Sequence, residues 1–79
     1  MDTLQQAIFA LHELEQDTTT PKNVKTKVAS TLKILNENGE VSLKKSRAMH
    51  ELEELSEDIN VQSYTRTQLF NIVSLLEIV

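Results

Sequence analysis

The 79-residue chain has no cysteine or tryptophan, one glycine, one proline and only three aromatic residues. Without cysteine it forms neither a disulfide nor a thiolate zinc site. Scarce glycine and proline favour long, uninterrupted helices over the turn-rich pattern of sheet proteins. A domain of this length buries only roughly 60–65% of its unfolded-chain surface, so we expect a thin core held by well-patterned helix packing.

Long apolar runs and an excess of positive charge are also missing. The longest apolar-rich stretch, 69–79, is too short to span a bilayer, and Asn71, Ser74 and Glu77 interrupt it. The formal net charge of −4 at pH 7 gives no overall attraction to nucleic acid or to an anionic membrane. Because no charged-then-apolar secretion signal is present, we expect a cytoplasmic protein with no membrane partner.

The two halves of the sequence resemble each other. Shifting residues 7–35 by 41 positions lays them on 48–76. A period of about 40 residues is typical of a paired-helix repeat, so we expect one helical hairpin built twice. Identical residues then meet in these pairs: Ala7 and Ala48, Leu11 and Leu52, Glu13 and Glu54, Leu14 and Leu55, Asp17 and Asp58, Thr26 and Thr67, Leu35 and Leu76.

Apolar residues at helical spacing predict four helices in a single domain covering 1–79. Short connections favour antiparallel neighbours, so the predicted fold is an all-α, up-down four-helix bundle. A two-repeat solenoid has the same local contacts, but solenoids need about three repeats or more for stability. The helices are placed at about 3–16, 21–36, 43–56 and 62–79, with hairpin one at 1–38 and hairpin two at 39–79.

Capping residues mark the helix boundaries. Asp2, Thr20 and Ser42 are expected to cap the first three helices, and Pro21 suits the first position of the second. Gly39 is expected to end the second helix in the left-handed conformation. The expected inward residues are Leu4, Ala7, Ile8, Leu11, Leu14, Val24, Val28, Leu32, Leu35, Leu43, Ala48, Met49, Leu52, Leu55, Leu69, Ile72, Val73 and Leu76.

Charged residues cluster near the ends of the predicted helices. The simplest interpretation is pairing across each hairpin turn, between Asp17 and Lys25 and between Asp58 and Arg66. The alternative is a basic strip on helices two and three that tracks nucleic-acid phosphates. No aromatic side chain is interleaved with its lysines to stack on bases. The strip consists of Lys22, Lys25, Lys27, Lys33, Lys44, Lys45 and Arg47.

The two histidines complete no metal or catalytic motif. His12 and His50 each begin a His-Glu-Leu-Glu segment, but Gln16 and Glu54 replace the second histidine of a His-Glu-x-x-His zinc site. The chain also has no cysteine nucleophile, no phosphate-binding glycine loop and no Gly-x-Ser-x-Gly sequence. We therefore predict no catalytic residue, no metal, no cofactor and no enzymatic activity.

Apolar residues outside the predicted core stand on the first and fourth helices. Phe9 lies nearly opposite the apolar stripe of its helix, and its repeat partner is His50, so the core pattern requires no aromatic there. The fourth helix is apolar almost all round, which indicates either deeper burial or a covered face. A covered face predicts an interface with another protein or with a second copy, formed by Phe9, Tyr64, Phe70, Leu75 and Ile78.

Two segments carry a family resemblance: Asp17-Thr-Thr-Thr-Pro-Lys-Asn-Val-Lys and Tyr64-Thr-Arg-Thr-Gln-Leu-Phe-Asn-Ile-Val-Ser-Leu-Leu-Glu. The chain resembles a small archaeal family, uncharacterised protein family 0147, over nearly its whole length. The resemblance implies a four-helix bundle in an archaeal cytoplasm. A weaker likeness to single HEAT-type repeats rests on Asp17, Pro21, Val24 and Lys25, and it implies a protein-binding scaffold.

The sequence therefore favours a non-catalytic protein-interaction module or small subunit. The alternative is a nucleic-acid-associated protein that uses the basic strip. The two hypotheses involve different surfaces, since the first depends on exposed apolar side chains and the second on lysines.

Overall fold

Four helices make up most of the computed structural model, which describes residues 2–79. They are α1 (Thr3–Gln16), α2 (Lys22–Asn36), α3 (Val41–Ser56) and α4 (Ser63–Ile78). No strand occurs within the described range, so the all-α prediction is confirmed. The predicted boundaries agree with the observed ones to within two residues.

The helices form a closed ring of neighbours. Helix α1 lies against α2 and α4, and α3 lies against the same two helices, whereas the Cα atoms of the diagonal pairs α1–α3 and α2–α4 stay more than 8 Å apart within residues 2–79. A solenoid would instead stack each hairpin on the next, with like helices side by side. The contact between the first and last helices closes a four-helix bundle that measures 32 × 21 × 18 Å.

Most of the predicted inward residues form the core. Leucines at the middle of three helices, Leu11, Leu52 and Leu69, are fully buried, and Leu76 is buried beside them. Leu4, Ile8 and Met49 are only partly buried and pack against its edge. At roughly 1.5–3 kcal/mol for each fully buried large side chain, this apolar burial is the main stabilising term of the bundle.

Leu43 is wrong as a core residue, because its side chain is 63% exposed. It stands nine residues before Leu52, which is about half a turn away around the helix at 100° per residue. Two partly buried lysines occupy the inner side of the first turns of α3 instead. Lys45 Nζ donates to the carbonyl of Val79 at 2.7 Å, and Lys44 Nζ donates to the carbonyl of Glu37 at 3.0 Å.

Six buried residues were missed by the apolar pattern, and these are Thr20, Thr31, Ile34, Ser56, Val61 and Thr65. Thr31 is fully buried, and its hydroxyl donates to the carbonyl of Lys27 at 2.8 Å, so the polar group is satisfied within its own helix. Ile34 widens the buried face of α2, and Val61 fills the core from the turn between α3 and α4. Helical periodicity does not register a threonine or a turn residue as part of a core.

The helix caps agree only in part with the prediction. The carboxylate of Asp2 accepts a hydrogen bond from Gln5 N at 2.8 Å, which confirms the first cap. Pro21 and Glu40 hold the N-cap positions of α2 and α3, and neither makes a side-chain capping bond, so the caps predicted at Thr20 and Ser42 are wrong. Gly39 has a φ of +145°, the only positive φ among the described residues, but it does not cap α2, which ends earlier with Glu37 as its C-cap and the Glu37 N–H bound to the Ile34 carbonyl.

The turns of the two hairpins have matching hydrogen bonds. Asp17 Oδ1 accepts from Thr19 N, and 41 residues later Asp58 Oδ1 accepts from Asn60 N, both at 2.8 Å. In each case the aspartate side chain folds the backbone into an Asx turn that leads the chain into the next helix. These matched turns bring α1 against α2 and α3 against α4, which leaves α2–α3 and α1–α4 as the contacts between hairpins.

Candidate functional site

Charge is distributed unequally between the two pairs of helices. Of the Asp, Glu, Lys and Arg residues, α1 and α4 carry four, which are Glu13, Glu15, Arg66 and Glu77. Helices α2 and α3 carry ten, which are Lys22, Lys25, Lys27, Lys33, Lys44, Lys45, Arg47, Glu51, Glu53 and Glu54. Helices α2 and α3 therefore carry more than twice as many charged residues as α1 and α4, and the six charged residues outside the helices are all acidic.

An ion pair joins α2 to α3. Lys27 Nζ donates to Glu51 Oε2 at 2.6 Å, and both side chains are partly exposed. This hydrogen bond raises the pKa of Lys27 and lowers the pKa of Glu51. Beside it lies an open groove of about 750 Å³, lined by charges of both signs together with Asn23, Thr26 and Leu55. Bases on α2 thus meet acids on α3, between hairpins rather than within one.

The predicted side-chain pair of Asp58 and Arg66 does not form, because each side chain binds backbone groups instead. The Arg66 guanidinium donates to the carbonyls of Ser56 at 2.9 Å, Asp58 at 3.1 Å and Val61 at 3.2 Å. Arginine presents several donors in a fixed fork, so it binds the free carbonyls where α3 ends. The Asp58 carboxylate is occupied by the backbone N–H of Asn60.

The corresponding pair, Asp17 and Lys25, forms no ion pair within residues 2–79. Hydrogen bonds from the Thr19 hydroxyl and backbone N–H hold the pKa of Asp17 below its usual value, and Lys25 adds a smaller electrostatic effect. Both turn aspartates therefore act first as turn-forming acceptors, and pairing across the turn is secondary.

The structure divides the basic strip into engaged and unengaged residues. Lys27, Lys44 and Lys45 make the contacts given above, and Arg47 Nη1 lies 3.4 Å from Glu37 Oε2. The side chains of Lys22, Lys25 and Lys33 make no hydrogen bond or ion pair with the rest of the described chain. Lys22 and Lys33 stand at opposite ends of α2, about 16 Å apart along its axis. The seven cations do not form one continuous free surface.

Both histidines are exposed and lie near a glutamate on their own helix. His50 Nε2 lies 2.7 Å from Glu54 Oε1, and His12 Nδ1 lies 3.9 Å from Glu15 Oε1. Within residues 2–79, no three His, Cys, Asp or Glu side chains are grouped in a way that could hold a metal ion. None of the helices there is both long and apolar enough to cross a bilayer.

All three aromatic residues are exposed, and all stand on α1 and α4. Phe9 is 55% exposed, Tyr64 69% and Phe70 52%. The core contains none of them. In a small domain with a thin core, packing would favour burial of large aromatic side chains. Their exposure here therefore points to a role other than packing within the chain.

A groove of about 220 Å³ runs between α1 and α4. Phe9 and the partly buried Leu75 line it from opposite helices, so the structure brings these two predicted interface residues together. Its remaining lining residues are Ala10, Glu13, Leu14, Gln68, Asn71 and Ile72. Glu13 is the one ionisable residue in this lining.

The other predicted interface residues lie elsewhere. Phe70 is about 140° from Leu75 around α4, at 100° per residue, so it stands on the opposite flank of that helix. Tyr64 shares the flank of Leu75 but lies about 16 Å along the axis from it. Ile78 lines a separate cavity of about 330 Å³ at the end of the bundle, with Leu4 and Val41. The five residues do not make one patch.

The two grooves share corresponding positions. Glu13 and Leu14 line the α1–α4 groove, and 41 residues later Glu54 and Leu55 line the α2–α3 groove. Where one interface has the ion pair of Lys27 and Glu51, the other has Gln68 and Ala10. Likewise His50 beside Glu54 corresponds to Phe9 beside Glu13. These three differences separate a contact bridged by an ion pair from a groove that has no ion pair and an aromatic residue at its edge.

Sequence reasoning missed Ala10, Glu13 and Gln68 as part of a site. The signal was present in the sequence, because a shift of 41 positions sets Ala10 against Glu51 and Gln68 against Lys27. It became visible only when the structure showed that Lys27 and Glu51 touch across two helices.

The fold and the two grooves define a class, a small all-α four-helix bundle with an open groove at each contact between hairpins. The family model described as Uncharacterised protein family (UPF0147) matches residues 1–79. A UPF0147 protein of the archaeon Thermoplasma volcanium is 43% identical over 74 residues, which cover 91% of this chain and 82% of that protein. The chain belongs to the UPF0147 family.

Solved structures agree with the fold. A crystal structure of a UPF0147 protein from Thermoplasma acidophilum matches with a TM-score of 0.92 and 32% identity, covering 96% of this chain and 91% of that one. The crystal structure of the protein of unknown function MMP1188 matches with a TM-score of 0.89 and 35% identity, covering 98% of this chain and 89% of that one. The predicted family and the all-α fold are thereby confirmed.

Proposed function

We propose that this protein is a non-catalytic interaction module that binds protein through the face formed by α1 and α4. The observation that carries the proposal is the segregation of the surface. The three exposed aromatics stand on the helices with four charges, whereas the helices with ten charges carry no aromatic. Aromatic residues are enriched and charged residues are depleted at the centres of protein interfaces.

The residue that corresponds to Phe9 in the other half of the bundle supports the proposal, because it indicates that folding does not require an aromatic side chain at position 9. Position 9 corresponds to His50, which is also exposed, so the bundle folds with a polar side chain at this site in its other half. The exposed phenylalanine therefore makes a small contribution to packing within the chain. Rigid aromatics at a groove edge supply much of the binding energy in protein complexes.

Nucleic-acid binding by the basic strip is the alternative, and it has less support. Four of its seven cations are engaged with acids or carbonyls of the same chain, as described above. The net charge of −4 opposes approach to a polyanion. We further infer that the two hairpins are copies of one unit and that the protein acts in the cytoplasm.

Site-specific photo-cross-linking tests the proposal. A photoreactive phenylalanine analogue replaces Phe9 on α1 or, as a matched control, the exposed Leu43 on α3. In native cell extract treated with nuclease, we expect cross-links to protein from position 9 and few from position 43. Equal cross-linking from both positions, or cross-links from position 9 that disappear with nuclease, contradicts the proposal.

A further inference from the structure

On the basis of the proposed function, we infer that the partner at the α1–α4 face is a basic amphipathic helix of another protein. That helix places an apolar side chain in the groove and a lysine or arginine beside Glu13. Three features of the face point to this chemistry, which are an unpaired carboxylate, the lack of a free cation around it and an apolar lining between two helices.

Glu13 is a carboxylate without a partner in its own chain. Its side chain is exposed and makes no hydrogen bond or ion pair within residues 2–79. In the other groove, His50 Nε2 lies 2.7 Å from Glu54 Oε1, the corresponding carboxylate. Phe9 takes the place of that histidine, so α1 supplies no donor to Glu13. The groove therefore presents an uncompensated negative charge beside an aromatic ring.

Helices α1 and α4 have no lysine or arginine free to pair with this carboxylate. Arg66 is the only one on these two helices, and its guanidinium is bound to carbonyls at and after the end of α3. One arginine against three glutamates gives α1 and α4 a net charge of −2, whereas seven cations against three carboxylates give α2 and α3 a net charge of +4. Complementary potentials guide association, so this face attracts a cationic partner.

The α2–α3 groove shows the arrangement that such a partner completes. There Lys22 and Lys27 line the same groove as Glu54, so cations and carboxylates come from one chain. In the α1–α4 groove, Gln68 stands where Lys27 stands in the other, and the carboxylate remains without a cation. A lysine or arginine on the incoming helix supplies the missing charge.

The lining favours a helix over an extended segment. The backbone groups of α1 and α4 along the groove are bonded within their own helices, so they offer no partners to the backbone of an extended peptide. An amphipathic helix satisfies its own backbone and lays its apolar face in such a groove. Leu14, Ile72 and Leu75 form the apolar wall, and the groove of about 220 Å³ has room for one large apolar side chain.

Selection from a displayed library of amphipathic helical peptides tests the inference. The polar positions of the library vary among lysine, arginine, glutamate and glutamine. The baits are the purified full chain, Glu13→Lys and, as a matched control in the other groove, Glu54→Lys. Both substitutions are at exposed helix positions, and circular dichroism checks that the bundle is retained. We expect wild type and Glu54→Lys to select basic amphipathic peptides, and Glu13→Lys to select acidic ones.

The affinities of the selected basic peptides give a second readout by fluorescence anisotropy. Glu13→Lys is expected to weaken binding about tenfold or more, because like charges then meet. Phe9→Ala is expected to weaken it about thirtyfold, as for a central interface residue. Raising the salt concentration from about 0.05 M to about 0.5 M is expected to weaken binding by wild type several-fold and by Glu13→Gln less, since salt screens an exposed pair.

An empty selection, peptides with no excess of lysine and arginine, or a preference unchanged by Glu13→Lys overturns the inference. A dimer of the wild-type chain that Phe9→Lys weakens in analytical ultracentrifugation also overturns it, because the occupant is then a second copy. These results are distinguishable from failure of the proposed function. Cross-links from position 9 to a protein in extract keep the interaction module and replace only the chemistry of its partner.

Discussion

Two interfaces join the hairpins of this bundle, and they are closed in different ways. Across α2–α3 a lysine and a glutamate meet at 2.6 Å, and charges of both signs line the groove beside them. Across α1–α4 the corresponding positions hold Gln68 and Ala10, and Phe9 stands exposed at the edge. The bundle closes with either solution, so the fold does not require an ion pair between α1 and α4.

The two interfaces also have a buried layer in common. Leu14 and Leu55 lie at corresponding places, line their respective grooves and are both almost completely buried. The buried layer is therefore alike, and the difference is confined to the outer layer. A bundle with one core pattern thus presents two chemically distinct grooves.

The largest expected effect concerns this shared layer. Leu14→Ala and Leu55→Ala each leave a cavity beneath a groove, and each is expected to lower the free energy of unfolding by about 2–5 kcal/mol. The two losses are expected to be similar, since the two sites are packed alike. Urea unfolding followed by circular dichroism measures both. A loss at one site and none at the other breaks the correspondence between the interfaces.

A smaller effect is expected at the two turns. Arg66→Ala removes three hydrogen bonds to carbonyls at the end of α3 and in the turn after it, and we expect it to lower the free energy of unfolding by about 1–3 kcal/mol. Lys25→Ala, at the corresponding place in hairpin one, is the control and is expected to cost under about 0.5 kcal/mol. Thermal unfolding of both variants tests this asymmetry, and equal losses contradict it.

The smallest effect is the pH dependence of the α2–α3 ion pair. Because the pKa of Glu51 is lowered on folding, its contribution is present above the ordinary glutamate pKa and is lost as pH falls through the folded value. Because the pKa of Lys27 is raised, its contribution is present below the ordinary lysine pKa and is lost as pH rises through the folded value.

Glu51→Gln is expected to remove this contribution, which is about 0.5 kcal/mol for a partly exposed pair. The melting temperatures of wild type and variant are compared between about pH 3 and pH 7, across the ordinary glutamate range. We expect the two curves to converge at the acidic end and to separate towards neutrality. Parallel curves throughout contradict a stabilising ion pair.

The sequence was sufficient for the helices and most of the core, because apolar spacing reports directly which side of a helix is buried. It failed at Leu43, where a leucine near a helix start was added to a stripe that its angle excludes. It also failed at Arg66, since a charge pattern identifies opposite charges but not the nearby carbonyls that compete for a guanidinium.

The candidate site was only half predictable. Phe9 and Leu75 stood out as apolar residues off the core stripe, and the structure brings them into one groove. Phe70 stood out for the same reason but lies on the other flank of α4. Which exposed residues share a groove depends on which helices are neighbours. Apolar spacing within one helix does not report contacts between helices that are distant in sequence. The contact between α1 and α4 supplied it.

The most direct test of the central claim is a pull-down from native cell extract, with and without nuclease, using wild type, Phe9→Lys and a Lys22→Gln/Lys33→Gln variant that removes two unengaged cations. The account predicts a protein partner that survives nuclease, remains with the lysine variant and is lost with Phe9→Lys. A partner that is lost with nuclease and with the lysine variant, and retained by Phe9→Lys, contradicts the α1–α4 face as the binding surface.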